Sequence, residues 1–197
     1  LGTLYYWDEL DEQQKKDIGP KTEILSVYPL IPVNEQVLDQ FPNLKYIASW
    51  GVGYDLVDLK ALAQRNIIFT NTPNANFADV ADLVFGLIVS LVRHIPQLHQ
   101  NMMKTHDTNT SKGPGQRVSG KKIGIVGLGH IGQEVAQRAT GFRMQIGYFD
   151  RSVDDRYQRF DSLESLAQWA DFLVLAMPAT PETFHIVGAN VLKQLGP

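Results

Sequence analysis

Apolar and polar residues alternate in blocks over the first seventy positions. The runs "EILSV" (Glu23 to Val27), "LKYIAS" (Leu44 to Ser49) and "NIIFT" (Asn66 to Thr70) are short and rich in Ile and Val. Runs of that length and make-up predict buried strands. Between them, "NEQVLDQF" (Asn34 to Phe41) and "DLKALAQR" (Asp58 to Arg65) predict helices, with Asn34 and Asp58 as N-caps. Strand alternating with helix predicts a parallel, doubly wound sheet. From Phe77 to Val92 the pattern is helical, with Val80, Leu83, Val84, Leu87, Ile88 and Leu91 covering nearly every face. A helix apolar all round is buried or packs against another subunit. Pro96 is predicted to kink or end it. The polar stretch Lys104 to Gly120, with its Gly and Pro, reads as a loop or linker.

A second alternation follows. Ile123 to Val126 and Met144 to Phe149 read as strands around a helix from Ile131 to Thr140. Asp161 to Trp169 reads as a short helix and Asp171 to Pro178 as the end of another strand. The chain has 197 residues, which divides naturally into two α/β domains of about a hundred residues each. The expected boundaries are residues 1–94 and 95–197.

Composition narrows the function classes. The net charge of −3 and the lack of a basic block argue against a nucleic-acid partner. The longest apolar run, Leu83 to Val92 between Asp82 and Arg93, is too short to span a bilayer. The chain holds no cysteine, which excludes disulfides and thiolate metal sites and fits a cytoplasmic protein. Its five histidines lack paired ligand spacing, so no metal site is expected. The acids Asp8, Glu9, Asp11 and Glu12 read as a solvated helix start.

The candidate chemistry begins at "KKIGIVGLGHIGQEV", Lys121 to Val135. Here a predicted strand runs into Gly127-Leu-Gly129-His-Ile-Gly132 and then into a predicted helix. That context turns a common glycine pattern into a dinucleotide-binding signal. Gly127 permits the tight turn, Gly129 lets the backbone approach a pyrophosphate, and Gly132 lets helix and strand pack closely. The helix N-terminus offers free N–H groups and about half a positive charge to phosphate. Asp150 ends the next strand, eighteen residues past Gly132. An acid there accepts bonds from the adenosine ribose hydroxyls and repels a 2′-phosphate. NAD is therefore the expected cofactor. Arg151 and Ser152, which could bind a 2′-phosphate, keep NADP open.

Four segments together resemble the D-isomer-specific 2-hydroxyacid dehydrogenases. They are "SWGVGYDLVDL" (Ser49 to Leu59), "NTPNANFADVADLVFGLIVSLVR" (Asn71 to Arg93), "GKKIGIVGLGHIGQEVA" (Gly120 to Ala136) and "DFLVLAMPATPETFHIVG" (Asp171 to Gly188). Within that family the chain looks most like the glyoxylate/hydroxypyruvate reductase branch. The resemblance implies two doubly wound parallel-sheet domains: a flavodoxin-like substrate domain and a Rossmann nucleotide-binding domain. The reaction would lie between them, with hydride passing between NAD(P)H and a 2-keto acid. It places the backbone of Val52 and Gly53 on the substrate carboxylate. Gly129, His130 and Ile131 match the pyrophosphate loop, and Asp150 and Arg151 the ribose site. Met177, Pro178 and Thr183 fall on a loop lining the cofactor, and Val80 near the nicotinamide. His130 stands where the family more often has Arg or Lys, and the family's linker tryptophan is absent.

The family's catalytic Arg, Glu and His lie downstream of Gly188, so none is expected within this chain. The sequence starts without Met and stops at Pro197, and it reads as lacking the C-terminal part of the fold. By itself it is expected not to turn over. His185 matches a structural or surface position. His94, His99 and His106 read as surface or interface residues, and Asp82 as support for a helix–loop junction. Trp50 and Phe77 are the bulky residues nearest a substrate side chain. A homodimer through the Phe77 to Val92 helix is expected. The alternative to an enzyme is an NAD(H)-sensing, partner-binding protein of the same fold, like a corepressor.

Overall fold

The computed structural model describes residues 2–105, 113 and 115–196. His106 and the rest of residues 106–112, with residue 114, lie in the expected linker and outside the described residues. The chain divides into two compact units, Leu1–Ala75 and Asn76–Pro197.

The first unit contains α1 (Glu12–Ile18), β1 (Ile24–Val27), α2 (Glu35–Leu38), β2 (Tyr46–Ser49), α3 (Leu59–Gln64) and β3 (Ile68–Thr70). The three strands are parallel, in the order β1-β2-β3, and their register sets Val27 beside Ser49 and Ala48 beside Thr70. Helix starts follow the capping residues. Asp11 and Gln14 form a reciprocal capping box at the acidic N-terminal run. Asn34 accepts from the Val37 N–H at 3.1 Å and Asp58 from the Ala61 N–H at 2.9 Å. Val33, Leu38, Ile47 and Leu62 are fully buried between sheet and helices. On the same face as Ile47, Ser49 is also buried, and its hydroxyl has no partner among the described residues.

The second unit contains α4 (Phe77–Val92), α5 (Ile95–Thr105), β4 (Lys122–Val126), α6 (His130–Gly141), β5 (Gln145–Phe149), β6 (Gln158–Arg159), α7 (Leu163–Trp169), β7 (Phe172–Leu175) and α8 (Ala189–Leu195). Its parallel sheet has the order β6-β5-β4-β7. The chain winds from β4 outward to β6, then crosses to the other side of β4 for β7. Both sheet faces are covered, as parallel sheets require. Ile123 and Ile125 pack with α4 and α6, while Val126 packs with α7 and α8 around Leu166 and Val191.

The expected boundary after residue 94 is corrected by this packing. Helix α4 belongs with the second unit because Ala81, Phe85 and Ile88, spaced for one helical face, are buried against α6. Phe85 stacks on Phe142 with ring centroids 4.9 Å apart. Arg138 of α6 ties the two helices from outside, pairing with Asp82 of α4 and Glu134 of its own helix. The expected helix break falls just before Pro96. His94 takes a left-handed conformation (φ 55°), and Pro96 sits in the first turn of α5, where no N–H is needed.

Candidate functional site

The reversal of winding puts the ends of β4 and β7 side by side with their loops turning apart. Open parallel sheets bind ligands in the crevice this creates, at the carboxyl ends of the strands. Leaving β4, Gly127 has φ +89°, and a Cβ there would lie 2.8 Å from the Met177 nitrogen in the loop after β7. Only glycine fits this turn. A Cβ on Gly132 would lie 2.1 Å from the Gly127 carbonyl oxygen, so helix α6 meets the turn with no room for a side chain. Around Gly129 no atom of the described residues lies within 4 Å of the Cβ position, so that side of the loop is open among them.

Helix α6 begins directly after this open glycine. The N–H groups of Gly129, His130, Ile131 and Gly132 donate to no acceptor among the described residues. They are the four donors that a helix N-terminus leaves free. With the helix dipole behind them they match an anionic phosphate. The His130 ring, although exposed, lies flat on Phe77 at 4.8 Å and 6° between planes. That stack joins the first turns of α4 and α6. Val80, one turn further along α4, is half-buried.

Asp150 closes the loop from below. Its Oδ2 accepts the Leu128 N–H at 2.7 Å, and its Oδ1 accepts the Ser152 N–H at 2.8 Å and hydroxyl at 2.7 Å. Partial burial, the largest single influence, pushes the carboxyl pKa up. The Ser152 and Leu128 hydrogen bonds and the Arg151 charge together outweigh it, so the pKa falls below the ordinary 3.8. The group is an anion throughout the neutral range. Three of its roughly four acceptor positions are filled within the protein, leaving about one for a hydroxyl. Ser152, expected as a 2′-phosphate donor, instead bonds the carboxylate. Arg151 is exposed beside it.

On the β7 side, Met177 backs onto Gly127 and packs against the cluster around Leu166. The Thr183 hydroxyl donates to the Pro178 carbonyl at 2.7 Å and accepts the Thr180 N–H at 2.8 Å, which folds the loop on itself. In the first unit, Val52 and Gly53 follow β2 on an exposed loop. Their N–H groups donate to no acceptor among the described residues, and Asn71 holds the Val52 carbonyl at 2.8 Å. His185 is exposed, stacked on Phe184 at 3.9 Å. His94 marks the break between α4 and α5. Among the described residues no cluster of three or more His, Asp or Glu could hold a metal ion. None of their helices is long and apolar enough to cross a membrane.

Sequence reasoning missed the Leu128–Asp150 bond, the Phe77–His130 stack and the Asp82–Arg138 pair. The spacing Asp150-x-Ser152 is an Asx-turn signal that could have assigned Ser152 to the carboxylate. No comparable local signal joins residues more than fifty positions apart.

A glycine turn at a topological switch point, free helix N–H groups and an ionised acid at the next strand end define a dinucleotide-binding α/β unit. The donor set fits a dinucleotide pyrophosphate, and residues 85–197 match the family described as "D-isomer specific 2-hydroxyacid dehydrogenase, NAD binding domain". The chain belongs to the D-isomer-specific 2-hydroxyacid dehydrogenases, and its second unit carries their NAD(P)-binding fold. It is 39% identical over 168 residues to a hydroxyphenylpyruvate reductase of Plectranthus scutellarioides, covering 82% of this chain and 52% of that protein. A glyoxylate reductase of Pyrococcus horikoshii is 36% identical over 172 residues, with the same two coverages. Among solved structures, an NADPH-dependent glyoxylate/hydroxypyruvate reductase of Sinorhizobium meliloti in complex with NADP and malonate superposes with a TM-score of 0.81. It shares 31% identity and covers 91% of this chain and 57% of that one. The chain thus spans about half the length of the curated relatives it matches.

Proposed function

We propose that the protein carrying this chain is an NAD(P)H-dependent reductase of 2-keto acids. A bound nicotinamide would supply the hydride for the carbonyl carbon, and with a proton on the oxygen the product would be the 2-hydroxy acid, the cofactor being oxidised. The observation that carries this reading is the open row of N–H groups from Gly129 to Gly132, with ionised Asp150 beneath it. In this reading Gly127 and Gly132 shape the turn. Gly129, His130 and Ile131 meet the pyrophosphate, and Asp150, flanked by Arg151, takes a ribose hydroxyl. Met177, Pro178 and Thr183 form the opposite wall, with Val80 toward the nicotinamide. Val52 and Gly53 hold the substrate carboxylate on unpaired N–H groups. The Asp150 charge supports NAD over NADP. The protein carrying the chain is expected to consume NADH with glyoxylate, hydroxypyruvate or phenylpyruvate. Tight NADH binding without turnover of any of the three would overturn the enzyme reading.

A homodimer through α4 is part of this proposal, as is a cytoplasmic location, which the absence of cysteine supports. While Ala81, Phe85 and Ile88 face α6, Leu83, Leu87 and Leu91 stand 61%, 61% and 71% exposed in one row. Full burial of a leucine is worth about 1.5–3 kcal/mol, so covering this row supplies a driving force for association. Leu87→Asp is expected to shift the protein to monomer in sedimentation velocity. A wild type that sediments as a monomer throughout would sink the dimer.

A further inference from the structure

The first unit leaves several large aromatic rings uncovered, and two of them meet. Tyr28 follows β1 and Trp50 follows β2, and the parallel register sets Val27 beside Ser49, so the two residues leave neighbouring strands at the same carboxyl end of the sheet. Their rings pack edge to face, with centroids 5.7 Å apart and planes at 75°. This is a preferred geometry for aromatic pairs. The backbones beneath them are locked together. The Trp50 N–H donates to the Val27 carbonyl at 3.2 Å, and a Cβ on Gly51 would lie 2.0 Å from Pro29 Cγ. Even so, Tyr28 stays 48% exposed and Trp50 66% exposed. A fixed but uncovered aromatic corner offers its faces to an apolar or aromatic group.

Its position says which group. Val52 and Gly53, with unpaired N–H groups, follow Trp50 by two and three residues. That separation is at most about 7–11 Å along extended chain. Resting on the keto-acid reductase reading above, we infer that Tyr28 and Trp50 form the wall for the substrate side chain and favour 3-aryl-2-oxo acids over glyoxylate. In an arylpyruvate the ring begins three bonds beyond the carboxylate carbon, so one molecule can meet both the N–H pair and the aromatic corner. Glyoxylate has no side chain to place there. Phe77, the other bulky candidate, has its ring stacked on His130.

The test is the ratio of kcat/KM for phenylpyruvate to that for glyoxylate, measured with the protein that carries this chain at saturating NADH. The wild type is expected to favour phenylpyruvate. Trp50→Ala is expected to lower the ratio about tenfold or more, the scale at which apolar pockets discriminate. Tyr28→Ala should move it the same way, and Trp50→Phe should retain most of it. Circular dichroism separates a lost wall from a lost fold, and Trp50→Phe keeps the test open if Trp50→Ala fails to fold. Wild-type preference for glyoxylate, or a ratio unmoved by Trp50→Ala, overturns the inference and leaves the reductase reading standing. Turnover of neither acid with NADH or NADPH overturns both.

Discussion

Gly129→Ala is expected to fold as the native chain does and to bind NADH about tenfold or more weakly. A methyl group on this residue meets nothing within 4 Å among the described residues, and the backbone at φ −68°, ψ −162° is open to alanine. Among the described residues it obstructs nothing, so what it blocks is a ligand approaching the N–H groups of the next turn. Gly132→Ala should behave in the opposite way. Its methyl group would lie 2.1 Å from the Gly127 carbonyl oxygen, so helix and turn must move apart. The expected cost is about 3 kcal/mol or more, with cofactor binding lost along with stability. Thermal melts and NADH fluorescence titrations of the two variants separate the roles. Gly129→Ala binding NADH as tightly as the wild type would show that no phosphate comes close at this loop.

Asp150→Asn carries the second large effect, which is on cofactor choice. Asparagine keeps an oxygen that can accept the Leu128 N–H, so the loop has a partner while the charge is gone. Two unit charges 4 Å apart interact by about 4 kcal/mol at an effective dielectric of 20. Solvent at this partly exposed site reduces that, so the NADPH-to-NADH affinity ratio is expected to rise roughly 100-fold. A ratio that does not move would mean that Asp150 serves the loop alone. The pH dependence has a definite sign. The folded-state pKa is depressed below 3.8, so the carboxylate stabilises the fold above the unfolded value and ceases to do so as pH falls through the folded one. The stability gap between wild type and Asp150→Asn should hold from neutral pH down to about 4 and close below it.

Apart from β6, the described strands were legible because each falls in a compact apolar run, and their observed ends fall within a few residues of the expected ones. Asn34 and Asp58 announced their helices through side chains that accept N–H groups in place. By contrast, β6 consists of Gln158 and Arg159, both exposed, and carries no apolar signal. In the glycine loop, Gly127 and Gly132 answer to local steric demands, whereas a Cβ on Gly129 meets nothing within 4 Å among the described residues. What could not be read was which unit α4 joins. Its apolar surface runs nearly all round, and only α6 shows that Ala81, Phe85 and Ile88 form the inward face while Leu83, Leu87 and Leu91 do not. The role of Ser152 depended on a competition between Asp150 and an incoming phosphate, and Asp150 has it in this structure.

The membership of α4 also says where this chain can be recombined with a relative's. A crossover after residue 94 would graft α4 away from α6, leaving Phe85 without Phe142 and Arg138 without Asp82. A crossover between Ala75 and Asn76 inherits the whole helix pair as one piece. Hybrids that exchange substrate preference while keeping cofactor binding should therefore be joined at that earlier seam.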